Sequence, residues 1–261
     1  MDVRMDGRVA VITGSSTGLG LAMAKEFAAS GASVALLARK ADVLATAKAE
    51  VAKAAGKTNA KIEVYSCDVA KAQPIADTWK KVVADFGKVD IVVNNAGTSR
   101  TSPFEGLTDE MLQGDLDQKL FAAVRLTRLA WPQMKERRWG RVINVLNIGA
   151  KAPRAGSAPT SITRAAGLAL TKVLAGEGGP HNILVNALLV GFIASDQHVQ
   201  TAKRTGVALE DYVSARTKAI PLGRIGRAEE FANIACFLAS DAGSYITGSA
   251  INVDGGSSPV V

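Results

Sequence analysis

The feature that most constrains this 261-residue chain is a rhythm. Short runs rich in β-branched residues alternate with long alanine-rich stretches of helical period. The runs Val9–Thr13, Ser33–Ala38, Lys61–Ser66, Val89–Val93, Arg141–Leu146, Ile183–Leu188 and Ala250–Val253 are candidate strands. Helical patterns fill the gaps, near 18–29, 41–55, 72–86, 109–137, 158–177 and 228–239. A strand followed by a helix and then another strand joins parallel neighbours through a crossover. The runs are apolar throughout rather than alternating, as strands covered on both faces must be. The pattern therefore predicts an α/β fold: a Rossmann-type, doubly wound, parallel seven-stranded sheet with helices on both faces.

No linker, repeat or low-complexity stretch interrupts the rhythm, so residues 1–261 read as one domain. One segment breaks step. Residues 191–219 contain no strand pattern and many polar side chains, and they follow the sixth strand. Ligands of such sheets bind outside the carboxyl ends of the strands, which makes this insert a candidate substrate lid. The N-terminus lacks a signal-peptide core. The most apolar later stretch, 183–194, is too short to span a bilayer. A cytoplasmic protein away from membranes is expected. The two cysteines, Cys67 and Cys236, read as buried free thiols, and no metal site is expected. Net charge is +7. The basic residues are dispersed except in "KERRWGR" (135–141), which suits a helix C-terminus, so nucleic acid is not the expected partner. A basic surplus favours small anionic ligands instead.

After the first strand comes "TGSSTGLG", Thr13 to Gly20. Glycines at Gly14, Gly18 and Gly20 permit a tight turn and close approach to a pyrophosphate. Ser16, Thr17 and Leu19 complete the loop, and the following helix points its free N–H groups at the anion. This spacing resembles the short-chain dehydrogenase/reductase family, and further motifs follow in that family's order. "CDV" (67–69) ends the third strand, "NNAG" (94–97) the fourth, and "LVNALLVG" (184–191) the sixth, with Val190 where the family has proline. The stretch 221–256 is also similar. The resemblance implies cofactor contacts from Asp68, Val69, Asn95, Ala96, Gly97, Gly191 and Ile193, and a homodimer or homotetramer.

At the end of the second strand an acidic residue would bind the ribose hydroxyls of NAD. Ala38 stands there, followed by Arg39. Without a carboxylate to repel it, a 2′-phosphate can pair with the guanidinium, so NADP(H) is expected in preference to NAD(H). A solvated loop cation is the plainer reading of Arg39.

The family's catalytic residues are an asparagine, a serine, a tyrosine and a lysine. Counted along the resemblance, these positions hold Lys119, Asn147, Thr160 and Arg164. No tyrosine occurs between Tyr65 and Tyr212, so no shift of register restores one. Threonine ionises far less readily than a phenol, and arginine stays protonated. Asn147 could donate an amide N–H to an oxyanion, and Arg164 could hold the ribose hydroxyls. Lys119, with its pKa depressed beside Arg164, is a candidate acid; a surface lysine is the bland alternative. Tyr212, Asp196 and His198, on the insert, are further candidates or simply exposed loop residues.

Three functions are therefore open. One is an NADP(H)-dependent oxidoreductase acting on a small-molecule carbonyl or activated alkene through a rewired acid. The second is a silent NADP(H)-binding subunit or sensor, possibly paired with an active paralogue. The third is a non-redox lyase or hydratase. Relatives that eliminate halide from halohydrins carry arginine at the lysine position, but they keep the tyrosine and replace the glycine loop. The cations near the insert suggest an anionic or enolate-forming substrate.

Overall fold

The computed structural model of the protein describes residues 3–195, 201–203 and 205–261. Seven strands form one sheet: β1 (Val9–Thr13), β2 (Ser33–Ala38), β3 (Ile62–Ser66), β4 (Ile91–Asn94), β6 (Gly140–Asn147), β8 (Ile183–Val190) and β9 (Ala250–Val253). Their order is β3-β2-β1-β4-β6-β8-β9, and every neighbouring pair is parallel. The order reverses direction between β1 and β4, which opens a crevice at their carboxyl ends.

Strand residues alternate between two cores, as their period of two dictates. Ala10, Ile12, Val34, Leu36, Ile91, Val93, Ile143 and Val145 pack on one face. There they meet α1 (Gly18–Ala29), α2 (Ala41–Ala55) and α8 (Ala228–Ala239) through Met23, Phe27, Leu44, Val51 and Phe231. Val11, Ala35, Leu37, Val92, Val142 and Val185 face the other way. They cover α3 (Ala72–Phe86) and α5 (Ala122–Arg137) through Ile75, Trp79, Leu126 and Met134, and α6 (Thr160–Gly178) through Ala175. The apolar runs seen in the sequence are thus buried on both sides. Cys67 and Cys236 are buried free thiols.

Three local departures from the sequence reading bear on the site. The stretch 109–137 is not one continuous α-helix. It consists of α4 (Asp109–Leu116), a π-helical turn Asp117–Phe121 and α5. The π turn is five residues long, too short to show a hydrophobic period of its own. The next helix starts at Thr160, not 158, because Ala158–Pro159 form a short strand, β7. It pairs antiparallel with β5 (Thr101–Ser102), with Thr101 opposite Pro159 and Ser102 opposite Ala158. Lastly, the insert carries a helix of its own, α7 (Leu209–Thr217). Its two ends are tied down. Ile193 bridges Gly226, and the Leu222 N–H donates to the Gly255 carbonyl.

Candidate active site

The crevice between the carboxyl ends of β1 and β4 widens into a cleft of about 740 Å³. The turn after β1 is built from glycines that nothing larger could replace. Gly14 has φ +64°, and a Cβ there would lie 2.9 Å from the Ala96 Cα. A Cβ on Gly20 would lie 2.3 Å from the Gly14 carbonyl oxygen. Side chains of Thr13 and Asn95 then fasten the two strand ends together. The Thr13 hydroxyl accepts from the N–H groups of Asn95 and Ala96, and Asn95 Nδ2 donates to the carbonyls of Thr13 and Gly14. Asn95 therefore shapes the turn as well as lining the cleft. The first turn of α1 lines the cleft here, and its leading N–H groups have no intrahelical partners.

Of the residues expected at a dinucleotide, Gly14, Ser16, Thr17, Gly18, Leu19, Gly20, Arg39, Asp68, Val69, Asn95, Ala96, Gly97, Gly191 and Ile193 all line this cleft. Arg39 is exposed, and no carboxylate among the described residues pairs with it. Lys40 stands beside it on the same wall. The cleft also holds two buried carboxamide oxygens without a partner, Asn147 Oδ1 and Gln118 Oε1. Buried polar atoms are seldom left unpaired, so both sites await a ligand or water. The glycine cradle, the helix end, the free guanidinium and the orphaned amides all fit a phosphate-bearing dinucleotide.

Arg164 is the exception. It does not line the cleft but lies beneath its floor, where a Cβ on Gly97 would come within 2.9 Å of Arg164 Nη2. Its Nη1 donates to the Val145 carbonyl and its Nε is buried without a partner. The guanidinium expected at the ribose hydroxyls is here turned inward, to a carbonyl of β6.

Lys119 and Thr160 are likewise placed behind the cleft wall, at 7% and 3% exposure. They form a compact polar cluster with Asp115, which the sequence reading did not pick out. Lys119 Nζ donates to Asp115 Oδ1 at 2.5 Å and to Thr160 Oγ1 at 2.9 Å. The Thr163 hydroxyl donates to Asp115 Oδ2 at 2.6 Å. Thr160 Oγ1 accepts a second bond, from the Arg100 backbone N–H at 3.0 Å. The segment leading into β5 thus crosses directly over Thr160. The reading of Lys119 as a surface lysine is excluded by its burial. Asp115 is four residues before Lys119, a spacing that puts both on one helix face; that was the available signal.

Burial, and then the Arg164 cation, pull the Lys119 ammonium down to about 8, while Asp115 acts the other way. Burial also lowers the Arg164 guanidinium, to about 10. A fully buried ion pair is a poor stabiliser, because desolvating each ion costs several kcal/mol. The cluster is therefore better understood through proton chemistry than through stability. Asn147 stays apart from it, at the end of β6. Gly149 leaves it room: a Cβ there would lie 3.2 Å from Asn147 Oδ1 and 2.8 Å from Ser161 Oγ.

Tyr212 on α7 does not line the cleft, and no other tyrosine does among the described residues. Its ring packs on Phe192 at 6.0 Å and 51°. Asp196 and His198 lie outside the described residues. The sequence reading missed Gln118, Arg154, Phe192 and Arg216, which also line the cleft. Arg154 and Phe192 lie in irregular segments, where no periodicity marks a residue's direction. Arg216 lies on a helix of weak amphipathicity, α7, none of whose residues is buried.

The sheet order and the glycine turn define a dinucleotide-binding protein of the doubly wound class. A family model described as enoyl-(acyl carrier protein) reductase matches residues 14–258. The chain belongs to this oxidoreductase group, within the short-chain dehydrogenase/reductase family. It is 32% identical over 256 residues to the 3-oxoacyl-(acyl-carrier-protein) reductase FabG of Aquifex aeolicus, covering 98% of this chain and 99% of that one. It is 35% identical over 249 residues to the acetoacetyl-CoA reductase of Rhizobium meliloti, covering 95% and 98%. Among solved structures it resembles L-sorbose reductase from Gluconobacter frateurii, complexed with NADPH and L-sorbose. That match has a TM-score of 0.94 and 34% identity, and covers 100% of each chain. No helix among the described residues is long and apolar enough to cross a membrane.

Proposed function

We propose that this chain is an NADP(H)-dependent reductase of carbonyls or activated alkenes whose proton comes from an ammonium rather than a phenol. The observation that carries the cofactor half is the intact cleft, with Arg39 and Lys40 on the wall where an acid would select NAD. Both cations favour a 2′-phosphate, and NADPH-bound L-sorbose reductase supports the same reading. NADPH, when bound, supplies the hydride. Asn147 turns its amide N–H to the developing oxyanion. Thr160 accepts two hydrogen bonds, which leaves its own proton for a third direction. Lys119 replaces the proton that Thr160 gives up and ends the turnover as a neutral amine, which solvent reprotonates. A group titrating near 8 is well matched to this task at neutral pH. Residues 191–219 serve as the lid, and exposed Ile162 and Val173 on α6 support a homo-oligomer.

A second reading has an observation of its own. The Arg100 N–H donates to Thr160, and neither Thr160 nor Lys119 lines the cleft in this arrangement. A silent NADP(H)-binding subunit would look like this. Turnover separates the two. NADPH oxidation is followed against a panel of ketones, quinones, enones and CoA thioesters. The paired change Asp115→Leu with Lys119→Met removes both buried charges together, so neither is orphaned. The reductase reading expects this variant to fold, bind NADPH and lose turnover. Tight NADPH binding by the parent with no oxidation by any panel member supports the silent subunit.

A further inference from the structure

Two arginines on the cleft wall have no role in the chemistry above. Arg154 lies in the connection from β6 to β7, and Arg216 on α7. Neither has a carboxylate partner among the described residues. Both belong to the β6–β8 half of the cleft, whereas Arg39, Lys40 and Asp68 belong to the β2–β3 half. Three strand spacings separate β2 from β6, about 14 Å at the usual interval. The phosphate-binding glycine turn sits between them, after β1. Arg154 and Arg216 therefore stand at the opposite end from the cations assigned to the cofactor.

Arg216 is exposed and lies against two aromatic rings. Its Cζ lies 5.7 Å from the Phe192 ring and 5.3 Å from the Tyr212 ring, which are themselves packed together. A guanidinium lying near aromatic faces keeps its N–H groups available to an oxyanion. Of the cations the sequence suggested for this purpose, Lys119 is buried and Arg164 partly buried, and both are engaged elsewhere.

Building on the reductase reading, we propose that the substrate carries an oxyanion, a carboxylate or a phosphate, away from the reducible carbonyl, and that Arg154 and Arg216 bind it. This assigns both arginines as specificity determinants, with the Phe192–Tyr212 pair positioning Arg216.

The test is calorimetric binding to the NADPH-saturated protein, so it does not depend on turnover. Two matched pairs are compared: 4-oxopentanoate with its methyl ester, and dihydroxyacetone phosphate with dihydroxyacetone. The anionic member of at least one pair should bind about tenfold tighter or more, in line with charge-assisted hydrogen bonds, and the stronger pair tells carboxylate from phosphate. Arg154→Gln and Arg216→Gln should each remove that preference and leave the neutral partner's affinity and the NADPH affinity unchanged. No preference in either pair overturns the proposal. So does a clear loss of NADPH affinity in Arg216→Gln, since the guanidinium would then serve the cofactor. An anion preference that stands while no member of the wider substrate panel oxidises bound NADPH counts against the reductase reading and leaves only the anion site on Arg154 and Arg216 assigned.

Discussion

At Lys119, burial and Arg164 oppose Asp115, and the balance leaves the ammonium titrating near 8, below its ordinary 10.5. Between those values the unfolded chain binds more protons than the folded one, so stability at this residue rises with pH across that window. Below about 8 the full burden of burying the cation is present. Lys119→Met alone strands the Asp115 carboxylate, and denaturant titration at neutral pH should show a loss of about 3–5 kcal/mol. Adding Asp115→Leu should restore most of it. A second residue-scale outcome concerns the cofactor. Arg39→Ala should weaken NADPH by about tenfold or more while leaving NADH nearly unchanged, as fluorescence titration would show. The position of Arg39 was legible in the sequence because it follows a strand end. The pairing of Lys119 with Asp115 could be read from their spacing of four, but the contact with Thr160 could not, since it joins residues 41 apart that only the fold brings together.

The glycine turn is the element on which the cleft depends. Gly20→Ala would drive a methyl group against the Gly14 carbonyl, at 2.3 Å before any relaxation. Backbone on both sides resists, so α1 must shift away from β1. The expected result is a stability loss of about 1–3 kcal/mol together with weakened NADPH binding, measured by melting with and without cofactor. The seven strands and most helices were legible because their apolar runs meet helices on both faces. β5 and β7 were not, being two residues each and too short to show a period. The π turn was hidden for a related reason. It is five residues long, too short to set a period of its own, and Lys119 sits within it.

For the molecule as a whole, a ligand that binds only the folded chain must raise its stability. NADPH at about a hundred times its Kd should add roughly 2.7 kcal/mol, visible as a rise of several degrees in Tm, with NADH adding less at the same concentration. The doubly wound order makes this possible by setting Arg39 and Lys40 after β2 and Asn147 at the end of β6 on one continuous edge. Among the described residues no tyrosine lines that edge, and the most direct test of the proposed ammonium donor is the pH dependence of single-turnover NADPH oxidation with an accepted substrate. If the Lys119 ammonium supplies the proton, the rate falls as pH rises through about 8, and the fall vanishes with the activity in Asp115→Leu/Lys119→Met. A rate that holds level to about pH 10, or that survives the paired change, would contradict the assignment.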